Sequence, residues 1–264
     1  MSEEVTLQAG TIQARVSPAD GGRIVSLVVG GRELLGGVGQ VVVEHGSFVM
    51  APWAGRIRDG VLHVGGQEHH LPTDRTHPHA GHGLVMDRSW STREVSADRV
   101  LLRCELDSRW PFPGYVEQEI VLREDRIDQS VWVHALETPF PATIGWHPWF
   151  LRDLGDGVRA ELEFAADGML LRDEAGIPDG TVVPVPPGPW DDCFVGVRWP
   201  MTITWPGLLK LQIQADVPYA VVYDEREEAF CVEPQSGPPD GPNTDPQLAA
   251  PGAPVCATTS WSWA

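Results

Sequence analysis

Polar and apolar residues alternate with a period of two along much of the chain. Val100, Leu102, Cys104 and Leu106 share one side of an extended segment, with Leu101, Arg103 and Glu105 on the other. The same alternation groups Val116, Gln118, Ile120 and Leu122, then Ile127, Gln129, Val131, Val133 and Ala135, and later Val158, Ala160, Leu162 and Phe164. Leu209, Leu211, Ile213 and Ala215 oppose Lys210, Gln212 and Gln214. A half-buried antiparallel strand requires this pattern, because successive side chains point to opposite faces of a sheet. The spacing predicts many short strands.

No 3.6-residue pattern runs beyond about two helical turns. The 28 Gly and 24 Pro interrupt the chain at short intervals, and a Pro inside a helix costs about 3 kcal/mol. The expected fold is therefore all-β, a large antiparallel β-sandwich. The stretch from Pro184 to Pro189 reads as a long loop, since strand-like segments of the same composition flank it. Residues 1–264 are thus expected to form a single domain. A content of 42% hydrophobic and 21% charged residues argues for a folded chain rather than a disordered one.

Charge narrows the partners. With 37 acidic residues against 19 basic, the formal charge is −18. Such a surface repels phosphate backbones and anionic lipid, so no nucleic-acid and no membrane partner is expected. The first ten residues, MSEEVTLQAG, lack a basic segment and an apolar run, which predicts no secretion signal and a cytoplasmic location. Cys104, Cys193, Cys231 and Cys256 lie far apart and read as reduced thiols. A monomer or homodimer is expected.

Five segments place titratable or hydrogen-bonding side chains beside Gly, Pro or aromatic residues: A-P-W-A-G-R-I-R-D-G (51–60), H-P-H-A-G-H-G-L-V (77–85), G-W-H-P-W-F (145–150), W-D-D-C-F (190–194) and V-E-P-Q-S-G-P-P-D-G-P-N (232–243). Loops of this kind carry function on rigid β scaffolds. Pro148 biases His147 towards an extended backbone, which suits either a proton-transfer group or a hydrogen-bonded core histidine. Glu233 closes the apolar run Ala229–Val232, where partial desolvation would raise its pKa; a solvated strand-end carboxylate is the alternative. His69, His70, His77, His79 and His82 fall within 14 positions, but no Glu or Cys completes a ligand set at a matching offset. Neither a metal nor another cofactor is expected. Of the 11 tryptophans, Trp53, Trp90, Trp146, Trp149 and Trp190 lie in or near these segments. Their faces suit stacking on the C–H faces of a sugar, while core packing accounts for most of the rest.

In this order the segments resemble the aldose 1-epimerase (galactose mutarotase) family over essentially the whole chain. G-G-R-I-V-S-L near residue 21 resembles the family's opening strand pair. A-G-R-I-R-D-G is similar to its N-R-I-x-x-G segment, which puts the sugar-binding arginine at Arg56. H-A-G-H-G-L-V resembles the H-G-L stretch and places a first active-site histidine at His82, with Trp90 at the matching offset. G-W-H-P-W-F is similar to G-x-H-P-Y-F, implying that His147 is the general acid. W-D-D-C-F implies a substrate-binding aspartate at Asp191, with Asp192 as the alternative. V-E-P-Q-S-G-P-P-D-G-P-N implies that Glu233 is the base. The chain departs from the pattern at Gly55, where Asn is usual, and at Trp149, where Tyr is usual. The implied fold is the galactose mutarotase-like supersandwich.

The resemblance implies anomer exchange of a small-molecule sugar. The C1 hydroxyl loses a proton, the ring oxygen gains one, the ring opens, and reclosure after rotation about C1–C2 gives the other anomer. A carboxylate and an imidazolium on opposite sides of the reacting bond suffice. His147, Glu233 and His82 are the expected catalytic residues, and Arg56, Asp191, Trp53 and Trp146 the substrate-binding ones. Two rival readings are a hexose 6-phosphate substrate, held by Arg56, Arg58, Arg75 or Arg88, and a sugar-binding module without catalysis.

Overall fold

The computed structural model describes residues 4–39, 41–73 and 78–264. Two large antiparallel sheets dominate. One has eleven strands and runs from the edge strand Val5–Ala9 through Ile12–Ser17, Arg23–Val29, Ser47–Met50, Gly145–Leu151, Ala229–Gln235, Tyr219–Tyr223, Asp191–Val195 and Gly168–Arg172 to Pro178–Val183, with Arg32–Glu33 paired to its third strand. The other has eight, in the order Ser91–Val95, Arg99–Glu105, Gly114–Leu122, Arg126–Ala135, Val255–Trp263, Leu209–Ala215, Arg198–Trp205 and Glu161–Ala165. The described helices are the four-residue turn Gly241–Thr244 and the 3-10 turn Arg58–Gly60. None is long and apolar enough to cross a membrane.

The eight-stranded sheet follows the alternation of the sequence. Gly114–Leu122 and Arg126–Ala135 bury every second residue, and Val116, Ile120, Val131 and Val133 all turn inward. The outer strand Glu161–Ala165 starts later than the periodicity predicts, so Val158 and Ala160 fall in the connection before it. There Asp153 Oδ1 accepts three backbone N–H groups, from Gly155, Asp156 and Gly157, and stabilises a turn instead of a strand. The stretch 184–190 is a loop, as its prolines predict.

The two sheets pack face to face. Ile120, Val131, Ile213 and Trp261 of the smaller sheet form one buried cluster with Trp146, Phe150, Phe230 and Val232 of the larger. The rings of Phe150 and Trp261 meet edge to face at 5.2 Å, a favoured aromatic geometry. The central strands of the larger sheet are covered on both faces: six of the seven residues of Gly145–Leu151 and all seven of Ala229–Gln235 are buried. Their second face carries a cleft.

Candidate active site

Strand register brings the polar candidates together. Gly145–Leu151 pairs antiparallel with Ala229–Gln235, matching Gly145 with Gln235 and Trp149 with Cys231. The same register sets His147 opposite Glu233. Pro148 and Pro234 adjoin these two residues and offer no N–H to the ladder, which accounts for the gap in pairing between the two matched ends. On the other side His147 is matched with Phe48, and across the sheet Glu233 is matched with Val221 and Val221 with Cys193. Phe48, His147, Glu233, Val221 and Cys193 thus form one row on the face away from the core. The adjacent row holds Trp149, Cys231, Tyr223 and Asp191. Over them lies a cleft of about 290 Å³, at the small end of ligand sites (~300–1,000 Å³).

His147 Nε2 lies 3.3 Å from Glu233 Oε1, and both side chains are nearly sealed from solvent. They stand side by side on neighbouring strands rather than facing each other across the cleft. On the opposite edge of the imidazole, Nδ1 lies 3.6 Å from Cys231 Sγ. Burial pushes the Cys231 thiol well above its ordinary pKa, so it stays protonated beside the imidazole. Gln235 Nε2 donates to Glu233 Oε2 at 3.2 Å, so both carboxyl oxygens are held.

Burial disfavours charge on both partners. Glu233 is pushed well above the ordinary carboxylate range, first by desolvation and then by the negative charge of Asp191; Gln235 and the positive charge of Arg56 oppose this. His147 is pushed well below the ordinary imidazole value, first by desolvation and then by His82. A raised carboxylate is a stronger base and a depressed imidazolium a stronger acid, which suits the pair to moving protons. His147, Cys231 and Glu233 also offer three metal-ligand atoms within 4.8 Å of one another. Their short contacts use different nitrogens of the imidazole, however, so a hydrogen-bonded chain fits them better than a common coordination point.

Arg56 and His82 enter from neighbouring segments. Arg56 pairs with Gly81 in a two-stranded ribbon, and the His82 N–H donates to the Gly55 carbonyl at 2.6 Å. The loop after Glu233 secures this ribbon: the Asp240 N–H donates to the Arg56 carbonyl at 2.6 Å, and Asp240 Oδ1 accepts the Arg58 N–H at 3.1 Å. Asn243 Nδ2 in turn donates to Asp240 Oδ1 at 2.8 Å. The His82 ring stands edge-on to His147 with centroids 5.3 Å apart. On the far side, Arg172 binds Asp191 through Nη1 at 2.8 Å and Asp192 through Nε at 2.9 Å. All of these residues except Gly81, Arg58, Asp240 and Asn243 line the cleft.

A sequence model of the aldose 1-epimerase family matches residues 3–260. The chain belongs to the aldose 1-epimerase family. The uncharacterised Escherichia coli K12 protein YihR is 24% identical over 232 residues, 78% of this chain and 74% of YihR. A galactose mutarotase-like protein from Clostridium acetobutylicum superposes with a TM-score of 0.84 at 16% identity, covering 99% of this chain and 95% of the other. Galactose 1-epimerase from Lactobacillus acidophilus NCFM gives a TM-score of 0.80 at 18% identity, with 99% and 94% covered. At these identities the two structures show the shared fold.

Within this aldose 1-epimerase fold, His147, Glu233, His82, Arg56 and Asp191 all meet at the cleft, whereas Trp53, Trp90, Trp146 and Trp190, four of the five tryptophans suited to sugar stacking, do not line it. Trp146 has the opposite strand phase to His147 and is wholly buried between the sheets. Trp53 stacks on Trp110 at 5.8 Å and donates Nε1–H to the Ala80 carbonyl at 3.3 Å, inside the same core. Trp149, two residues from His147 and in phase with it, lines the cleft instead. Asp191 and its alternative Asp192 both line the cleft.

The histidine cluster disperses. His69 packs edge-on against Phe112, and His79 accepts the Asp59 N–H at 3.0 Å with its other nitrogen 2.9 Å from the Ala175 carbonyl. His77 lies outside the described residues, as does Arg75. Among the other cations considered for a phosphate, Arg58 is paired with Asp173 and Arg88 with Asp107, and neither lines the cleft. Tyr223, Cys231 and Arg172 are site residues outside the motifs, and Gln235 lies within the last motif without a role assigned to it. Counting by twos from Glu233 finds Cys231 and Gln235; nothing local marks Arg172, which strand order brings to the site.

Proposed function

We propose that this protein interconverts the α and β anomers of a free aldohexose by acid–base ring opening and closure. Glu233 takes the C1–OH proton and His147 donates to the ring oxygen; on reclosure the roles reverse. His82 and Arg56 hold the sugar and stabilise charge on its oxygen, while Asp191, braced by Arg172, accepts hydroxyls at the far edge. The 3.3 Å contact between His147 Nε2 and Glu233 Oε1 carries the reading. In a cyclic hemiacetal both reacting oxygens are bonded to C1, so a base and an acid whose tips nearly touch reach both at once. Ring opening conserves protons and electrons, since one proton leaves O1 and one arrives at the ring oxygen. Between its two apparent pKa values the pair holds a single proton, so activity should follow a bell-shaped pH curve whose limbs belong to the pair.

Polarimetry on freshly dissolved α-glucose and α-galactose tests this. Acceleration over buffer is expected, with Glu233→Gln and His147→Ala each losing most of it. Wild-type rates in both variants would sink the assignment, and sugar affinity without exchange would favour a binding module. A coupled assay with glucose 6-phosphate anomers separates free from phosphorylated substrates.

A further inference from the structure

Arg23, from the opening G-G-R-I-V-S-L segment, has no exposed surface and makes no contact with the cleft. A buried cation persists only when it is paired and hydrogen-bonded, and the contacts of Arg23 lead towards the active site. Its Nε donates to the Asp20 carbonyl at 3.1 Å, Nη1 to those of Val42 and His45 at 2.7 and 2.9 Å, and Nη2 to that of Met86 at 3.0 Å. The Asp20 carboxylate, 3.1 Å away, is its counter-ion. Val42 and His45 flank Val43 and Glu44, which form one wall of the cleft, and Met86 follows His82 by four residues. The guanidinium carbon also lies 5.2 Å from the centre of the Phe48 ring. Phe48 stacks on His147 at 4.7 Å, with the rings only 16° from parallel.

We propose that Arg23 is a positioning residue for anomer exchange, holding Phe48 beneath His147 and binding the His82 segment and the 42–45 wall into one unit. The inference deepens the mutarotase reading and rests on it. A planar guanidinium is needed, because only its fixed fork of donors reaches carbonyls of three separate segments while its carbon sits over a ring. Lysine keeps the charge and loses the fork. The Arg23 charge also disfavours protonation of His147, in the same sense as His82. Glu233 and Cys231 are the other titratable groups against His147, and Asp20 and His45 those beside Arg23.

The test uses Arg23→Lys, Arg23→Met and Phe48→Leu in the full chain. It has two readouts: kcat and KM by polarimetry, and NMR titration of the His147 imidazole, which needs no turnover. All three variants should lose kcat on the order of 10²-fold, as misplaced catalytic groups do, with KM changed less. The His147 titration should move to higher pH in Arg23→Met and stay near wild type in Arg23→Lys. Wild-type kcat in folded Arg23→Lys and Phe48→Leu, or an unmoved titration in folded Arg23→Met, would overturn the proposal. Should Arg23→Met not fold, the other two variants decide by kcat. A wild-type protein without anomer exchange would sink the mutarotase reading, and the titration would still test Arg23.

Discussion

Gly114–Leu122 and Arg126–Ala135 bury alternate residues, whereas Gly145–Leu151 and Ala229–Gln235 bury almost every residue. The first pair belongs to a sheet with one face in water, so hydropathy reports the pleat directly. The second pair is covered by the core on one face and by cleft residues on the other, and hydropathy no longer tells the faces apart. Burial of a polar group does not by itself identify a site. Gln118 and Gln129 are as buried as Glu233, yet they occupy inward positions of the smaller sheet, while Glu233 meets His147, Gln235 and Cys231 on the cleft face. Convergence of polar groups across strands distinguishes the two regions.

The largest expected contrast is in turnover. Glu233→Gln or His147→Ala should each cost on the order of 10²–10⁴-fold in kcat by polarimetry. Gln212→Ala, on the exposed face of the smaller sheet, should leave kcat intact and change stability by no more than about 0.5 kcal/mol. Equal losses in both regions would dissolve the distinction.

Stability should show the reverse contrast. Ile120→Ala, in the core between the sheets, should cost about 2–5 kcal/mol in denaturant unfolding through lost burial and a residual cavity. The kcat of the molecules that remain folded should be unchanged. A kcat that fell in step with stability would show that the two regions are coupled.

Opposed pKa shifts give a third test. Glu233 is raised from an ordinary value of 4.5, so above that value the folded chain retains a proton that the unfolded chain has lost, and stability falls as pH rises. His147 is lowered from 6.5, so below that value the unfolded chain holds a proton that the folded chain lacks, and stability rises with pH. In the wild type these slopes oppose each other between 4.5 and 6.5. Glu233→Gln should leave the rising slope and His147→Gln the falling one, each up to about 1.4 kcal/mol per pH unit in unfolding titrations. Slopes of the same sign in both variants would contradict the assigned directions.

The smallest effect is expected at Gly55. Its φ of +62° suits Gly and is tolerated by Asn, and a Cβ there would lie 3.2 Å from Pro239 Cγ, close enough to need a slight shift. Gly55→Asn adds an amide at the cleft and should change the relative KM of glucose and galactose by about 2–10-fold, the worth of one hydrogen bond. An unchanged ratio would mean that no hydroxyl is read there.

Much of this is legible in the sequence alone. The alternation fixed the inward residues of Gly114–Leu122, Arg126–Ala135 and Leu209–Ala215, because a two-residue period is a local property of an extended chain. The Gly- and Pro-bounded motifs brought out His147 and Glu233, and the family resemblance added His82, Arg56 and Asp191; all five reach the cleft. The sequence did not reveal which face of a doubly covered strand the site occupies, and so Trp146 was expected at the cleft where Trp149 stands. Nor could it show that Arg172 braces Asp191 and Asp192, or that Arg23 lies behind His147. Those relations depend on strand order and register between segments far apart in the chain, and only tertiary pairing sets them.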